Sequence, residues 1–297
     1  SENGFSTDEM DVVIGRGGIG KPIEGGLYSI TEKMLEDVGS GKYGEHSANL
    51  GPYLADAIAK KEGIPSFVMD PVSIDEMEPE ARLSGLKELP RKSLIHALNS
   101  RATARAYGKE KGQRYEDLRL IVVHLGSGIS VTPHLGGRMI DCNNPLEAGP
   151  MCPDRAGALP AKSLIQLCYS GKYKSASELI KKINREGGLY DHLGTSDLRV
   201  AEKMVKDGDP YAALVLKAMV YQIGKEIGAM ATVLKGRVDA IIITGGMANS
   251  EDLVAAISER VSFIATIKVI PGENEMDALA KGALDAMRSE MEIKTYS

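Results

Sequence analysis

The stretch that most constrains the fold runs from Ile121 to Asp141 and reads IVVHLGSGISVTPHLGGRMID. An apolar strand, Ile121 to Val123, enters a tight Gly126-Ser127-Gly128 turn. A second strand, Ile129 to Val131, leaves it, and Gly136-Gly137 turns the chain into a third, Arg138 to Asp141. Glycines at such a turn bring backbone N–H groups against an anion with no Cβ in the way. Taken alone, the stretch fits an ordinary glycine-rich meander as well as a phosphate cradle.

Strand and helix patterns alternate along the chain, which predicts an α/β fold. Val12 to Ile14 reads as a strand, Glu45 to Lys61 as a helix stopped by Gly63, and Pro65 to Met69 as a strand. A helix is expected over 93–107, and two helical segments within 161–185 are separated by Ser170-Gly171. A long helix from Pro210 to Leu234 has proline in its first turn and stops at Gly236. Asp239 to Thr244 (DAIIIT) reads as a buried strand leaving through Gly245-Gly246, and Ser250 as the N-cap of a helix through Ser258. A strand over Ile267 to Ile270 and a last helix from about Asn274 to Met291 complete the pattern.

The 297 residues suffice for two domains. With no Trp and three Phe the core must be aliphatic, helped by 13 Met. A net charge of −5 argues against nucleic acid and anionic membranes as partners. Cys142, Cys152 and Cys168 form no C-x-x-C pair, and with five scattered histidines they give no zinc spacing. The polar start SENGFSTDEM is no signal peptide, and no run is long enough to span a bilayer. A cytoplasmic protein is therefore expected.

Residues 15–20 spell G-R-G-G-I-G, a literal dinucleotide-binding pattern after a strand. That motif needs a helix to begin there, but Lys21-Pro22 follows at once. Walker A and G-x-S-x-G motifs are absent. What remains is Arg16 in a glycine-rich turn and Arg155 in the loop GPMCPDRAGALP, both suited to gripping a carboxylate or phosphate. Asp70 ends SFVMD, where open α/β sheets present ligand residues, and Glu275 opens the last helix. Singly, each has a plain structural reading: surface salt bridge, turn cap, or first-turn acid favoured by the helix dipole.

Together with GRGGIGKPIEGGLY, GEHSANLG, VMDPVSIDEM, RKSLIHALN, VVHLGSGISV, LGTSDLR and VLKGRVDAIIITGGMANS, these residues resemble the acetokinase family. These are carboxylate kinases of the actin-like ATPase superfamily, and HALN and GEHSANLG favour the butyrate branch. The resemblance runs from about Val12 to Ala286. It implies a two-domain, ribonuclease H-like fold with mixed sheets and an interdomain active-site cleft. The first domain would comprise 1–71 with the C-terminal helix of 273–297, and the nucleotide-binding domain 72–272. Pro71 and Pro271-Gly272 would be the hinges.

The implied activity is ATP-dependent phosphorylation of butyrate to an acyl phosphate, and the reverse, with ATP/ADP and Mg²⁺. The small-molecule partner is thus a carboxylate or acyl phosphate, and a homo-oligomer, dimer or higher, is expected because relatives form dimers. By the resemblance Arg16 binds the acyl carboxylate, Arg155 the transferring phosphoryl oxygens, and His96 donates to the phosphoryl group. Asp70 and Glu275 position Mg²⁺, partly through water. His124, Gly126, Ser127 and Gly128 contact phosphate, and His46 helps shape the active site. Gly245, Gly246, Met247 and Asn249 meet the adenosine, with Ser250 beside it, and Asp197, Leu198 and Arg199 flank ribose and adenine. TSDLR also reads as a helix N-cap through Ser196 or Asp197.

Two departures stand out. Ser127 occupies a position where acetate kinases carry Asn and the butyrate branch Gly. The family's opening N-P-G-S-type phosphate hairpin has no counterpart before Val12, and no initiator Met is present. A fragment of a longer protein or a truncated reading frame would explain the missing hairpin and the missing Met. The alternatives to butyrate are acetate, propionate or branched acids, or a nucleotide-binding chain without catalysis.

Overall fold

The computed structural model describes residues 6–273 and 275–297, so the lead before Ser6 and Asn274 lie outside the described residues. In chain order the strands are β1 (Val13–Arg16), β2 (Leu27–Ser29), β3 (Ser66–Met69), β4 (Leu120–Leu125), β5 (Ile129–Leu135), β6 (Arg138–Met139), β7 (Ala240–Gly245), β8 (Ile267–Pro271) and β9 (Ile293–Thr295). The helices are α1 (Glu32–Gly39), α2 (Leu50–Glu62), α3 (Ala97–Lys111), α4 (Ala161–Cys168), α5 (Ala176–Arg185), α6 (Gly188–Leu193), α7 (Leu198–Lys206), α8 (Pro210–Val233), α9 (Glu251–Val261) and α10 (Glu275–Met287). They fall into two compact units, the first drawn from Ser1–Glu76, Ile95–Ala102 and Asn274–Ser297, the second from Met77–Leu94 and Thr103–Glu273. The segment Ile95–Ala102, which includes the start of α3, thus groups with the first unit.

The first unit is built on a mixed sheet ordered β1-β3-β2-β9. β1 and β3 are parallel, β3 and β2 antiparallel, and β2 pairs parallel with β9. Side chains alternate across β3. Phe67 and Met69 join Leu27, Leu98, Leu279 and Ala286 on one face, while Val68 joins Tyr28, Met34, Val38 and Tyr296 on the other.

The strand expected at Val12 to Ile14 extends to Arg16, so Arg16 is a strand residue, not a turn residue. The helix expected from Glu45 starts instead with a 3₁₀ turn over Ser47–Asn49, and its regular part begins at Leu50. His46 sets the late start, with an extended backbone and a side chain that caps the 3₁₀ turn; the Asn49 side chain is committed elsewhere. It accepts from the Ile19 N–H at 2.8 Å and donates to the Val38 and Gly44 carbonyls. Gly63 stops α2 as expected, with φ +68°.

The G-R-G-G-I-G run carries no helix, as its context predicted. Its glycines serve close packing. A Cβ on Gly15 would lie 2.7 Å from the Gly51 carbonyl oxygen, and one on Gly17 would lie 2.3 Å from the Pro71 Cβ. In return, a Cβ on Gly51 would meet the Arg16 carbonyl oxygen at 2.2 Å.

The second unit carries a mixed sheet ordered β6-β5-β4-β7-β8. β4, β7 and β8 run parallel, and β5 and β6 complete the antiparallel meander expected from the sequence. β4 and β7 are buried along their whole length. Ile121, Val123 and Leu125 face a core with α8 and α9, supplied by Met219, Ile223, Ile227, Leu253 and Ile257. Leu120 and Val122 face Ala104, Tyr107, Tyr115 and Leu118. Cover on both faces is why these strands read as unbroken apolar runs.

Asp209 caps α8 through the Tyr211 and Ala212 N–H groups, and Pro210 takes the first helical position. Ser250 caps α9 through the Leu253 N–H, but the helix continues past Ser258 to Val261. The helix expected over 93–107 runs Ala97–Lys111, and the last one ends at Met287 rather than Met291. No helix among the described residues is long and apolar enough to cross a membrane.

Candidate active site

In the first unit the parallel strands β1 and β3 end side by side, with Arg16 opposite Met69 and Asp70 next in line. Asp70 has φ +42°, a left-handed backbone that aspartate tolerates better than most residues. Its N–H donates to the Gly26 carbonyl at 3.0 Å, and its Oδ1 accepts from the Gly26 N–H at 2.9 Å. Asp70 is 2 % exposed, and its Oδ2 takes no hydrogen bond from the described residues. Glu275 opens α10, and its carboxylate is gripped at two points by Arg16. Nη2 donates to Oε1 at 3.2 Å and Nε stands 3.1 Å from Oε2. His96 directly precedes α3 and is half-buried. Arg16, Asp70, His96 and Glu275 line one small depression, beside Gly17 and Val72. Four residues far apart in sequence are thus gathered in one unit. His46 is not among them; it is exposed and its Nδ1 accepts from the Ala48 N–H.

The second unit has a larger cavity of about 870 Å³, within the range of small-molecule sites. Gly126, Ser127, Asp197, Leu198, Arg199, Gly246, Met247 and Asn249 all line it. Its position follows from the sheet, because β4 and β7 are in register up to His124 opposite Thr244. The Gly126 turn and the Gly246 turn therefore leave the sheet at the same end, where parallel α/β sheets bind ligands. Asp197 is the N-cap of α7. Its Oδ1 accepts from the Arg199 N–H at 2.9 Å and from Arg199 Nε at 3.0 Å, and its Oδ2 from Nη2 at 2.6 Å. This contact holds the Asp197 carboxyl below its ordinary range and lays an exposed guanidinium along the cavity wall.

Three residues expected at the nucleotide stand behind the cavity wall instead. The Gly245 N–H and C=O are both paired with Gly272, and a Cβ there would lie 2.4 Å from the Leu125 carbonyl oxygen. This glycine, with φ +92°, serves the approach of β7 to β4. His124 is 1 % exposed beneath the turn, with Nε2 3.8 Å from Glu273 Oε1. Gly128 lies under Arg155, since a Cβ there would come 2.1 Å from Arg155 Nη1 and 2.8 Å from its Cζ. Arg155 is in turn fixed by its own loop, where the Cys152 N–H donates to its carbonyl at 2.9 Å. Cys152 Sγ accepts from the Ile129 N–H at 3.2 Å, tying that loop to the strand after the turn.

The sequence reading missed several lining residues. Asp154, Ser196, Glu202 and Glu273 belong to the cavity, as does Ser250, which the resemblance had set beside the adenosine. Glu202 accepts a hydrogen bond from the Ser250 hydroxyl, joining α7 to the start of α9. Asp154 adjoins Arg155 at 3.9 Å, and burial pushes its carboxyl up despite that cation. Glu202 recurs four residues after Leu198 on one helical face, which was the only advance signal.

The acidic residues of the first unit suit a hard divalent cation. Asp70 Oδ2 is a buried carboxylate oxygen with no hydrogen-bond donor among the described residues, and Glu275 supplies a second carboxylate in the same depression. No group of three or more His, Cys, Asp or Glu among the described residues could hold a metal alone. One or two carboxylates completed by phosphate and water is the usual arrangement for Mg²⁺.

The same architecture occurs in solved carboxylate kinases. Acetate kinase of Porphyromonas gingivalis superimposes with a TM-score of 0.82 at 22% identity, over 95% of this chain and 79% of that one. Acetate kinase of Entamoeba histolytica gives 0.77 at 18%, over 95% and 82%. A propionate kinase of Francisella tularensis gives 0.74 at 18%, over 91% and 79%. Identities this low speak for the fold alone, the actin-like ATPase arrangement with its mixed sheets. The sequence carries the rest of the assignment: the model of the Acetokinase family matches residues 91–290, and this chain belongs to that family of carboxylate kinases.

Proposed function

We propose that this chain transfers the γ-phosphoryl group of ATP to a short-chain fatty acid, butyrate foremost, and runs the reverse reaction from acyl phosphate and ADP. The observation that carries the reading is the gathering of Arg16, Asp70, His96 and Glu275 around one depression. A carboxylate acceptor has a pKa of roughly 4 to 5 and is ionised at neutral pH, so it needs no general base. What the reaction needs is a cation for the acceptor and donors for the moving phosphoryl group. Arg16 is the acceptor's cation and His96 the donor. Arg155, braced on Gly128, stabilises charge on the phosphoryl oxygens. Mg²⁺, when bound through Asp70 and Glu275, neutralises phosphate charge.

The cavity of the second unit holds the nucleotide, with Arg199 against the base and the Gly126 turn toward the phosphates. Butyrate is preferred over acetate on the motifs HALN and GEHSANLG, whereas the solved relatives are described as acetate and propionate kinases. One or two methylenes change affinity by only about 1 to 3 kcal/mol. The deciding experiment traps acyl phosphate as hydroxamate from acetate, propionate, butyrate and isobutyrate with ATP and Mg²⁺. A kcat/KM highest for butyrate supports the reading, and one highest for acetate replaces butyrate by acetate. Nucleotide binding by calorimetry with no product from any acid would leave a nucleotide-binding protein without catalysis.

A further inference from the structure

Behind Asp70 lies a buried ionic network to which the transfer reaction itself gives no task. The Arg101 and Glu76 side chains are 6% and 4% exposed. Arg101 Nη2 donates to both Glu76 oxygens, at 2.8 and 2.7 Å, and its Nε stands 3.3 Å from Asp70 Oδ1. Two successive glycines join the network. The Gly25 N–H donates to Glu76 Oε1 at 2.8 Å and the Gly26 N–H to Asp70 Oδ1 at 2.9 Å. A Cβ on Gly25 would lie 2.2 Å from Arg101 Nη2, so the guanidinium lies flat on bare backbone.

Two carboxylates share one guanidinium here. Buried ion networks of this kind are often no more stable than apolar packing, so stability alone is a poor reason for one. The geometry supplies a better reason. With Oδ1 accepting from the Gly26 N–H and ion-paired with Arg101 at 3.3 Å, the Asp70 carboxylate has a set orientation, and Oδ2 is the oxygen to which no described residue donates. We propose that Arg101, itself aimed by Glu76, is the positioning residue that fixes Asp70 so that Oδ2 alone serves a divalent cation. The inference rests on the kinase reading for the identity of that cation. It goes beyond that reading by assigning the orientation of Asp70 to residues that do not touch substrate. A lysine cannot replace Arg101, because Nε and Nη2 address two different carboxylates and an ammonium is a single point charge.

The test uses the full chain and the variants Arg101→Lys, Glu76→Gln and Asp70→Asn, with folding checked by circular dichroism. Mn²⁺ binding in the presence of ADP is read by electron paramagnetic resonance, alongside the Mg²⁺ dependence of turnover and the KM for the acid. Arg101→Lys is expected to weaken Mn²⁺ binding about tenfold or more and to raise the Mg²⁺ needed for half-maximal turnover, with the acid KM within about twofold. Glu76→Gln is expected to shift both readouts the same way by less, and it carries the test should Arg101→Lys not fold. A folded Arg101→Lys with wild-type Mn²⁺ affinity, beside an impaired Asp70→Asn, overturns the positioning role and leaves the metal reading standing. An Asp70→Asn variant with wild-type affinity overturns both.

Discussion

A single methyl group at Gly128 tests whether the placement of Arg155, and not merely its presence, sets the rate. The Cβ of Gly128→Ala would come 2.1 Å from Arg155 Nη1, so the guanidinium must retreat by more than 1 Å. The backbone itself raises no objection, because Gly128 is not among the glycines with positive φ. The atom that must move is the far end of a flexible side chain, so the fold should tolerate the change with a thermal midpoint within a few degrees of wild type.

A displacement of about 1 Å of a group stabilising the transition state costs roughly 10²-fold in rate. Removing such a donor altogether costs about 10² to 10³-fold. Single-turnover transfer from ATP should therefore slow about a hundredfold in Gly128→Ala, with nucleotide affinity little changed. Arg155→Ala should be as slow or slower, and adding Gly128→Ala to it should cost nothing more, since the two act through one group. Full turnover in Gly128→Ala would refute the argument, and so would additive losses in the double variant.

Further outcomes follow from the same geometry. Arg16→Ala removes a charge-assisted grip worth about 1.5 to 3 kcal/mol, so the KM for the acid should rise about tenfold to a hundredfold with nucleotide binding intact. Gly51→Ala would set a Cβ 2.2 Å from the Arg16 carbonyl oxygen, and backbone cannot step aside. A loss of about 1 to 3 kcal/mol is expected from urea midpoints, and an unchanged midpoint would contradict the close packing of α2 on β1. Burial pushes the Cys142 and Cys152 thiols up to about 11, while Cys168 is exposed. A thiol reagent at pH 8 should titrate one cysteine in the native protein and all three after denaturation. Unfolding lets the two buried thiols ionise near 8.5, so the folded state binds more protons between about 8.5 and 11. Their contribution to stability is complete below that window and falls as pH rises through it, measurable as a falling urea midpoint.

The parts of this fold legible in the sequence are those whose cause is local. β4 and β7 announce themselves because both faces are covered, and α8 because Asp209, Pro210 and Gly236 mark its ends. The Asp197 cap of α7 was legible for the same reason, and Arg199 came with it. β2 and β9 were not, being three-residue strands that pair Leu27 with Ile293 across most of the chain. α1 was missed between them, although Thr31 caps it through the Met34 N–H.

At the site, Arg16, Asp70 and Glu275 stood out as charges at strand or helix ends. Arg101 and Glu76 did not, because a buried ion pair and a solvated one look alike until the fold brings the partners together. The glycines of G-R-G-G-I-G carried the opposite hazard. Their spacing matches a phosphate loop, but their neighbours are Gly51, Pro71 and Asn49.

The pairing of β4 with β7 acts as a ruler for chemistry. Hydrogen-bonded neighbours lie about 4.8 Å apart, and each residue of slip moves a strand end by about 3.3 Å. The separation of the Gly126 and Gly246 turns is thus written into the Leu120–Ala240 to His124–Thr244 ladder, deep in apolar core, and not into the loops. Loop residues lining this cavity can be exchanged to suit another ligand while the gauge between the turns stays constant. A slip of one residue between two buried strands would also reverse which side chains face α8, so the core polices the gauge. Selection for a well-packed interior and selection for a correctly spaced site are, along these two strands, the same selection.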